Sequence, residues 1–144
     1  MPTPFRHRLR VRFQECDPQG VVYFARYLDY VDIALTELWR ERFGSYRDMM
    51  DTGTDMVVAE ANLRYRAAAL FDDEVEVELS LERLGNTSMT TLGRIARDDE
   101  TLVEASIRQV FITTNTRQKK PIPDALRAAL EDLVVDPSHA DADT

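Results

Sequence analysis

One stretch of this sequence spaces its apolar residues in steps of three and four, and almost everything else that is patterned alternates in twos. From about Val22 to Phe43, Tyr23, Tyr27, Val31, Ala34, Leu35 and Leu38 recur at helical spacing, while Arg26, Asp29, Arg40 and Glu41 fall largely elsewhere. Gly44 supplies a stop. A helix of that length spans about 31 Å, long for a small domain. Trp39 and Phe43 widen its apolar surface, so the expectation is a helix buried along its length. A second, shorter helix is expected over Tyr46 to Asp51.

Around it the period is two. Phe5, His7, Leu9, Val11 and Phe13 face one way and Arg6, Arg8, Arg10 and Arg12 the other. Val57, Ala59, Ala61, Leu63 and Tyr65 alternate with Val58, Glu60, Asn62 and Arg64; Val75, Val77, Leu79 and Leu81 alternate with glutamates. Gly85-Asn86 makes a turn, and Thr87 to Arg97 and Leu102 to Thr113 complete a hairpin across Asp98-Asp99-Glu100. Ile122-Pro123-Asp124 opens a final short helix through Leu133, with Asp124 as its cap. Half-buried strands need a cover on their apolar face, and the long helix is the one large candidate. The class is therefore α+β: one domain over residues 1–135, a long central helix wrapped by a curved antiparallel sheet of about five strands. Residues 136–144 read as a disordered acidic tail.

Charge and composition narrow the function. A net charge of −8 on 144 residues repels nucleic acid and anionic lipid. The arginine row is the local exception, read either as charges paired across strands or as a site for a polyphosphate. Two histidines, His7 and His139, and one cysteine, Cys16, have no metal-ligand spacing. Glycine-rich phosphate loops are absent. No run approaches the roughly 18 apolar residues of a membrane span, and the polar start does not suit a signal peptide, so a cytoplasmic protein is expected.

The most informative stretch runs from Glu15 to Tyr27. Asp17 sits a few residues ahead of the long helix, whose first turn offers free backbone N–H groups and a positive dipole end. Such an end can polarise a carbonyl and stabilise an oxyanion. A carboxylate beside it could deliver its own oxygen or a water to that carbon. Gly20 lets backbone approach a ligand closely. Taken alone, however, Asp-Pro ahead of a helix is more often a turn opener or cap than a catalyst.

The segment Asp17-Pro18-Gln19-Gly20-Val21-Val22-Tyr23-Phe24-Ala25-Arg26-Tyr27 resembles the signature of the 4-hydroxybenzoyl-CoA thioesterase family of hotdog-fold proteins. Tyr65-Arg66-Ala67-Ala68-Ala69-Leu70-Phe71-Asp72-Asp73 is a second matching patch. The resemblance implies a hotdog domain that hydrolyses an aromatic or short-chain acyl-CoA. It puts the catalytic carboxylate, nucleophile or general base, at Asp17, the turn glycine at Gly20 and the carbonyl-polarising N–H on or near Phe24. Tyr23 and Tyr27 join Gly20 and Phe24 as the expected substrate-binding set. Coenzyme A is then part of the substrate, with no resident cofactor, and the subunits form a homodimer or homotetramer with acyl pockets between them.

Other residues rank lower. Glu60 and Asn62 are expected to face solvent or another subunit, Tyr23, Tyr27 and Tyr30 to be core or pocket wall with one of them lining the acyl pocket, Glu37 and Glu41 to be surface charges, and Cys16 to be structural. Three rivals stand beside the acyl-CoA thioesterase: a dehydratase, for which neither histidine is well placed; a non-catalytic acyl-CoA-binding module; and a thioesterase acting on acyl-carrier protein, which so acidic a chain would repel.

Overall fold

The computed structural model describes residues 3–135. The expected acidic tail, including His139, lies outside the described residues. Strand β1 (Phe5–Arg10) leads through a 3-10 turn (Phe13–Glu15) to helix α1 (Arg26–Phe43) and the short α2 (Tyr46–Asp51). Strands β2 (Thr54–Tyr65), β3 (Glu74–Leu84), β4 (Ser88–Arg97) and β5 (Glu100–Thr113) follow, then α3 (Asp124–Leu130) and a 3-10 turn to Leu133. The strands form one sheet in the order β1-β3-β4-β5-β2, with every neighbouring pair antiparallel. No helix among the described residues is long and apolar enough to cross a membrane.

The alternation does what its period requires. Val75, Val77, Leu79 and Leu81 of β3 turn inward and are at most 1% exposed. They join Tyr27, Tyr30, Val31, Ala34, Leu38 and Trp39 of α1 in one core cluster. The helix packs close where Gly93 of β4 lacks a side chain: a Cβ there would lie 3.6 Å from Val31 Cγ2. On the outer face the register aligns Arg6, Glu78, Arg94, Glu104 and Arg64 in one row across all five strands. Glu78 accepts from Arg6 at 3.2 Å and lies 3.5 Å from Arg94, and Arg8 reaches Glu74 at 3.0 Å. Arg10 reaches Asp72 and Glu74, and Arg12 reaches Glu15. The arginine row is thus matched with carboxylates.

Four expectations need correction. The helix begins at Arg26, not near Val22, and is 18 residues long. Val21 and Val22 are instead held extended: Val22 bridges Cys16, Val21 bridges Leu70, and Val22 N–H donates to Ala69 O at 2.9 Å, with a turn over Phe24-Ala25 leading into the helix. Phe13 does not continue the inward face of β1. It sits in the 3-10 turn and is 75% exposed. In β2 a bulge between Val58 and Glu60 breaks the alternation, and residues 58–62 are exposed on both faces of this edge strand. Asp124 does not cap α3; Pro123 occupies that position, with Asp124 inside the first turn. Gly44 does end α1, at φ 89°, with its N–H on Arg40 O at 3.1 Å.

Candidate active site

Asp17 opens a tight turn. Its N–H donates to Val21 O at 2.8 Å, and Gly20 N–H donates back to Asp17 O at 2.9 Å. Pro18 fits the second position of such a turn, where its fixed φ costs nothing. Gly20 takes φ +82°, which an L side chain adopts only with strain. A Cβ there would meet nothing within 4 Å, so glycine answers to the backbone angle and not to crowding. Within the turn, Gln19 N–H donates to Asp17 Oδ1 at 2.8 Å, which orients the half-buried carboxylate.

Two further segments hold this turn against α1. Upstream, Tyr23 N–H donates to Glu15 O at 2.9 Å. Downstream, the connection from β2 to β3 passes behind Val21 and Val22 through the Leu70 bridge and the Ala69 carbonyl. That connection is pinned in turn. Asp73 Oδ2 accepts from Leu70 N–H at 2.8 Å and from Arg97 Nη1 at 2.7 Å, and the same Arg97 nitrogen reaches Ala68 O at 3.1 Å. Burial pushes the Asp73 carboxyl up, but the Leu70 amide and Arg97 outweigh it and hold it below the usual value.

The five expected site residues divide. Asp17 and Gly20 share the turn. Tyr23 and Phe24 follow it directly, 46% and 61% exposed, with rings 4.8 Å apart. Phe24 lies two residues ahead of α1, where the chain turns into the helix, and its carbonyl accepts from Tyr65 Oη at 3.0 Å. Tyr65, itself half exposed, meets the Phe24 ring edge-on at 6.5 Å. Tyr27 points the other way. It is 2% exposed, and its hydroxyl accepts from the buried Ala69 N–H at 3.0 Å. Phe13 and Phe71, both exposed, pair edge-to-face at 5.7 Å.

Cys16 is half-buried, and its thiol is pushed up by burial and then by the Asp17, Glu15 and Asp73 carboxylates, so it is a poor nucleophile. No group of three His, Cys, Asp or Glu side chains suited to a metal is present among the described residues. A cleft of about 300 Å³ between α1, α2 and β2 is lined by Asp32, Thr36, Trp39, Tyr46, Val58 and Gln109, and does not include Asp17.

The residues that sequence reasoning passed over are those that carry the turn: Glu15 with Tyr30 and Arg12, Tyr65, and the Asp73–Arg97 pair. Their signal was partly visible. Glu15 is a second acid two places before Asp17, and Tyr65 and Asp73 end the second patch that resembled the family.

One antiparallel five-stranded sheet packed on α1 is the arrangement of a single hotdog-like domain. The comparisons with known proteins agree. The model of the thioesterase-like superfamily matches residues 11–130, and the chain belongs to that family. It is 29% identical to the acyl-CoA thioester hydrolase YbgC of Escherichia coli over 127 residues, covering 88% of this chain and 95% of that one. It is 26% identical to the 1,4-dihydroxy-2-naphthoyl-CoA hydrolase of Synechococcus elongatus, covering 84% and 90%. Among solved structures, a hypothetical protein from Aquifex aeolicus superposes with a TM-score of 0.80 at 29% identity, covering 88% of this chain and 99% of that one.

Proposed function

We propose that this protein hydrolyses an aromatic or short-chain acyl-CoA thioester, with Asp17 as the catalytic carboxylate. The observation that carries this reading is the Asp17 turn, closed by backbone bonds in both directions and set a few residues ahead of α1. The carboxylate attacks the thioester carbon directly or takes a proton from the water that does. Amides at the turn into the helix, at or near Phe24, meet the oxygen that gains charge, aided by the helix dipole. The carbon–sulfur bond breaks, coenzyme A leaves as its thiol, and water supplies the hydroxyl of the free acid. Coenzyme A belongs to the substrate, and the reaction needs no resident cofactor.

The exposed rings of Tyr23, Phe24 and Tyr65 suit a flat or short acyl group better than a long chain. Gly20 supplies the turn beside it. A buried Tyr27 supports a role in holding the site more than in touching substrate.

The active form is a homodimer or homotetramer in this reading. Strand β2 is an edge whose middle residues are covered on neither face, the condition under which edge strands recruit a partner. A second copy paired there would enclose the acyl site between subunits.

Thiol release from a panel of acyl-CoA thioesters, with wild type beside Asp17→Asn, tests the proposal. Asparagine keeps an Oδ1 acceptor for the Gln19 amide, so the turn survives. Turnover should fall at least ~100-fold. A folded variant with near-normal turnover removes Asp17 from the mechanism. Silence of the wild type across the panel, with acyl-CoA still bound, replaces the enzyme with a binding module.

A further inference from the structure

Among the described residues, Glu15 is the buried carboxylate near Asp17 that bonds to α1. The residue is 6% exposed, a placement that costs several kcal/mol for an unpartnered carboxylate. Here it is well partnered. Oε1 accepts from Arg12 N–H at 2.8 Å and from the Tyr30 hydroxyl at 2.8 Å, and Oε2 accepts from Arg12 Nε at 3.2 Å. Burial raises the Glu15 carboxyl, and these bonds more than reverse it, leaving it lowered and ionised. The main chain of the same residue is also committed, its carbonyl accepting from Tyr23 N–H. Glu15 is therefore fastened to both sides of the helix entry: to Tyr30 within α1 and to Tyr23 ahead of it.

Tyr30 is fully buried and stands one turn beyond Tyr27. The two rings meet edge-on at 6.0 Å. One hydroxyl donates upstream to Glu15, and the other accepts downstream from Ala69. Together they fix the helix against both segments that flank the Asp17 turn. An apolar pair at positions 15 and 30 could fill the same space without desolvating a charge. What the ionic arrangement adds is direction, since the carboxylate bonds hold the turn at set angles as well as set distances.

We infer that Glu15 and Tyr30 are positioning residues, which hold Asp17 at the distance from the α1 entry that the reaction requires. The inference rests on Asp17 being the catalytic carboxylate. Displacing a reacting group by about 1 Å can cost roughly 100-fold in rate, so loss of this fastening should be read mainly in kcat.

The test uses Tyr30→Phe and Glu15→Gln in the full chain, each in the wild-type and Asp17→Asn backgrounds. Phenylalanine keeps the ring and removes one bond. Glutamine keeps the Oε1 acceptor but sets an amide nitrogen against Arg12 Nε. With an acyl-CoA that the wild type hydrolyses, and well below each variant's Tm, kcat should fall about 10- to 100-fold with KM nearly unchanged. In the Asp17→Asn background the same substitutions should cause no further loss, because they act through Asp17. A kcat within about twofold of wild type despite a lowered Tm, or an equal fractional loss in both backgrounds, overturns the inference. Hydrogen exchange at the amides of Asp17, Gly20 and Tyr23 gives a reading that needs no turnover. Faster exchange in Tyr30→Phe supports the fastening, and unchanged protection overturns it even if the wild type proves inert.

Discussion

Tyr27→Phe separates two roles for a residue that helical spacing places in the core and the family resemblance places beside substrate. The substitution removes one oxygen. The ring stays, with its edge contacts to Tyr30 at 6.0 Å and Tyr65 at 5.7 Å, so no cavity forms. What is lost is the acceptor of the Ala69 N–H, in a residue fully buried behind the Asp17 turn. A buried amide left without a partner costs about 1–3 kcal/mol. In a domain of this size that lowers Tm by about 3–10 °C. Burial also raises the phenol's pKa, so at neutral pH the hydroxyl is present as a neutral acceptor. The assay pairs thermal and urea unfolding, at fixed protein concentration so that assembly does not confound them, with steady-state kinetics on the best substrate of the panel. The expected result is a lower Tm, an unchanged urea m value and a KM close to wild type. A variant as stable as wild type with a raised KM would refute the assignment and return Tyr27 to the acyl pocket.

Two further expectations follow from particular contacts. Asp73 has a folded pKa below its ordinary value of 3.8, so its contribution is present above that value and lost as pH falls through the folded one. The stability gap between wild type and Asp73→Asn should therefore hold at neutral pH and close as urea midpoints are measured below pH 3.8; a gap that widens in acid would show the sign to be wrong. Arg8→Ala removes exposed pairs with Glu74 and Glu76, and should cost about 0.2–1 kcal/mol in unfolding free energy while leaving KM for acyl-CoA unchanged; a large rise in KM would restore the polyphosphate reading of the arginine row.

Those contrasts show where a sequence carries structure and where it does not. The strands were legible because burial of one face forces period two, and β3 shows it residue by residue from Val75 to Leu81. The helix body was legible for the same kind of reason. Its start was not. Tyr23 and Tyr27 stand four apart, a helical step, yet Val21 and Val22 are held extended by Leu70 and Ala69, residues some fifty places away. Only tertiary pairing decides that contest between helix and bridge. The bulge at Val58/Glu60 and the exposure of Phe13 are likewise non-local outcomes. The Asp17 turn could be named from its residues, but which acid would be buried beside it could not: Glu15 becomes a buried anchor because Tyr30 comes around the helix to meet it.

The later helix start also changes how the site works. Had α1 begun at Val22, its first-turn amides would lie beside Gly20, with Val21 in the cap position. Instead an extended Val21-Val22 pair and a turn over residues 23–26 separate the Asp17 turn from the helix, and each side of the pair is tied down. Asp17, Gly20, Val22 and Tyr23 all spend their N–H groups on main-chain carbonyls, Val22 on that of distant Ala69. These main-chain bonds close the turn, and the Asp17 carboxylate adds one more, its Oδ1 accepting from the Gln19 N–H. That division matters for a catalytic group. A carboxylate that alone held the backbone together would have to break structure in order to react, whereas one carried on a turn already closed by main-chain bonds can accept a proton or form a bond while the turn stays in place.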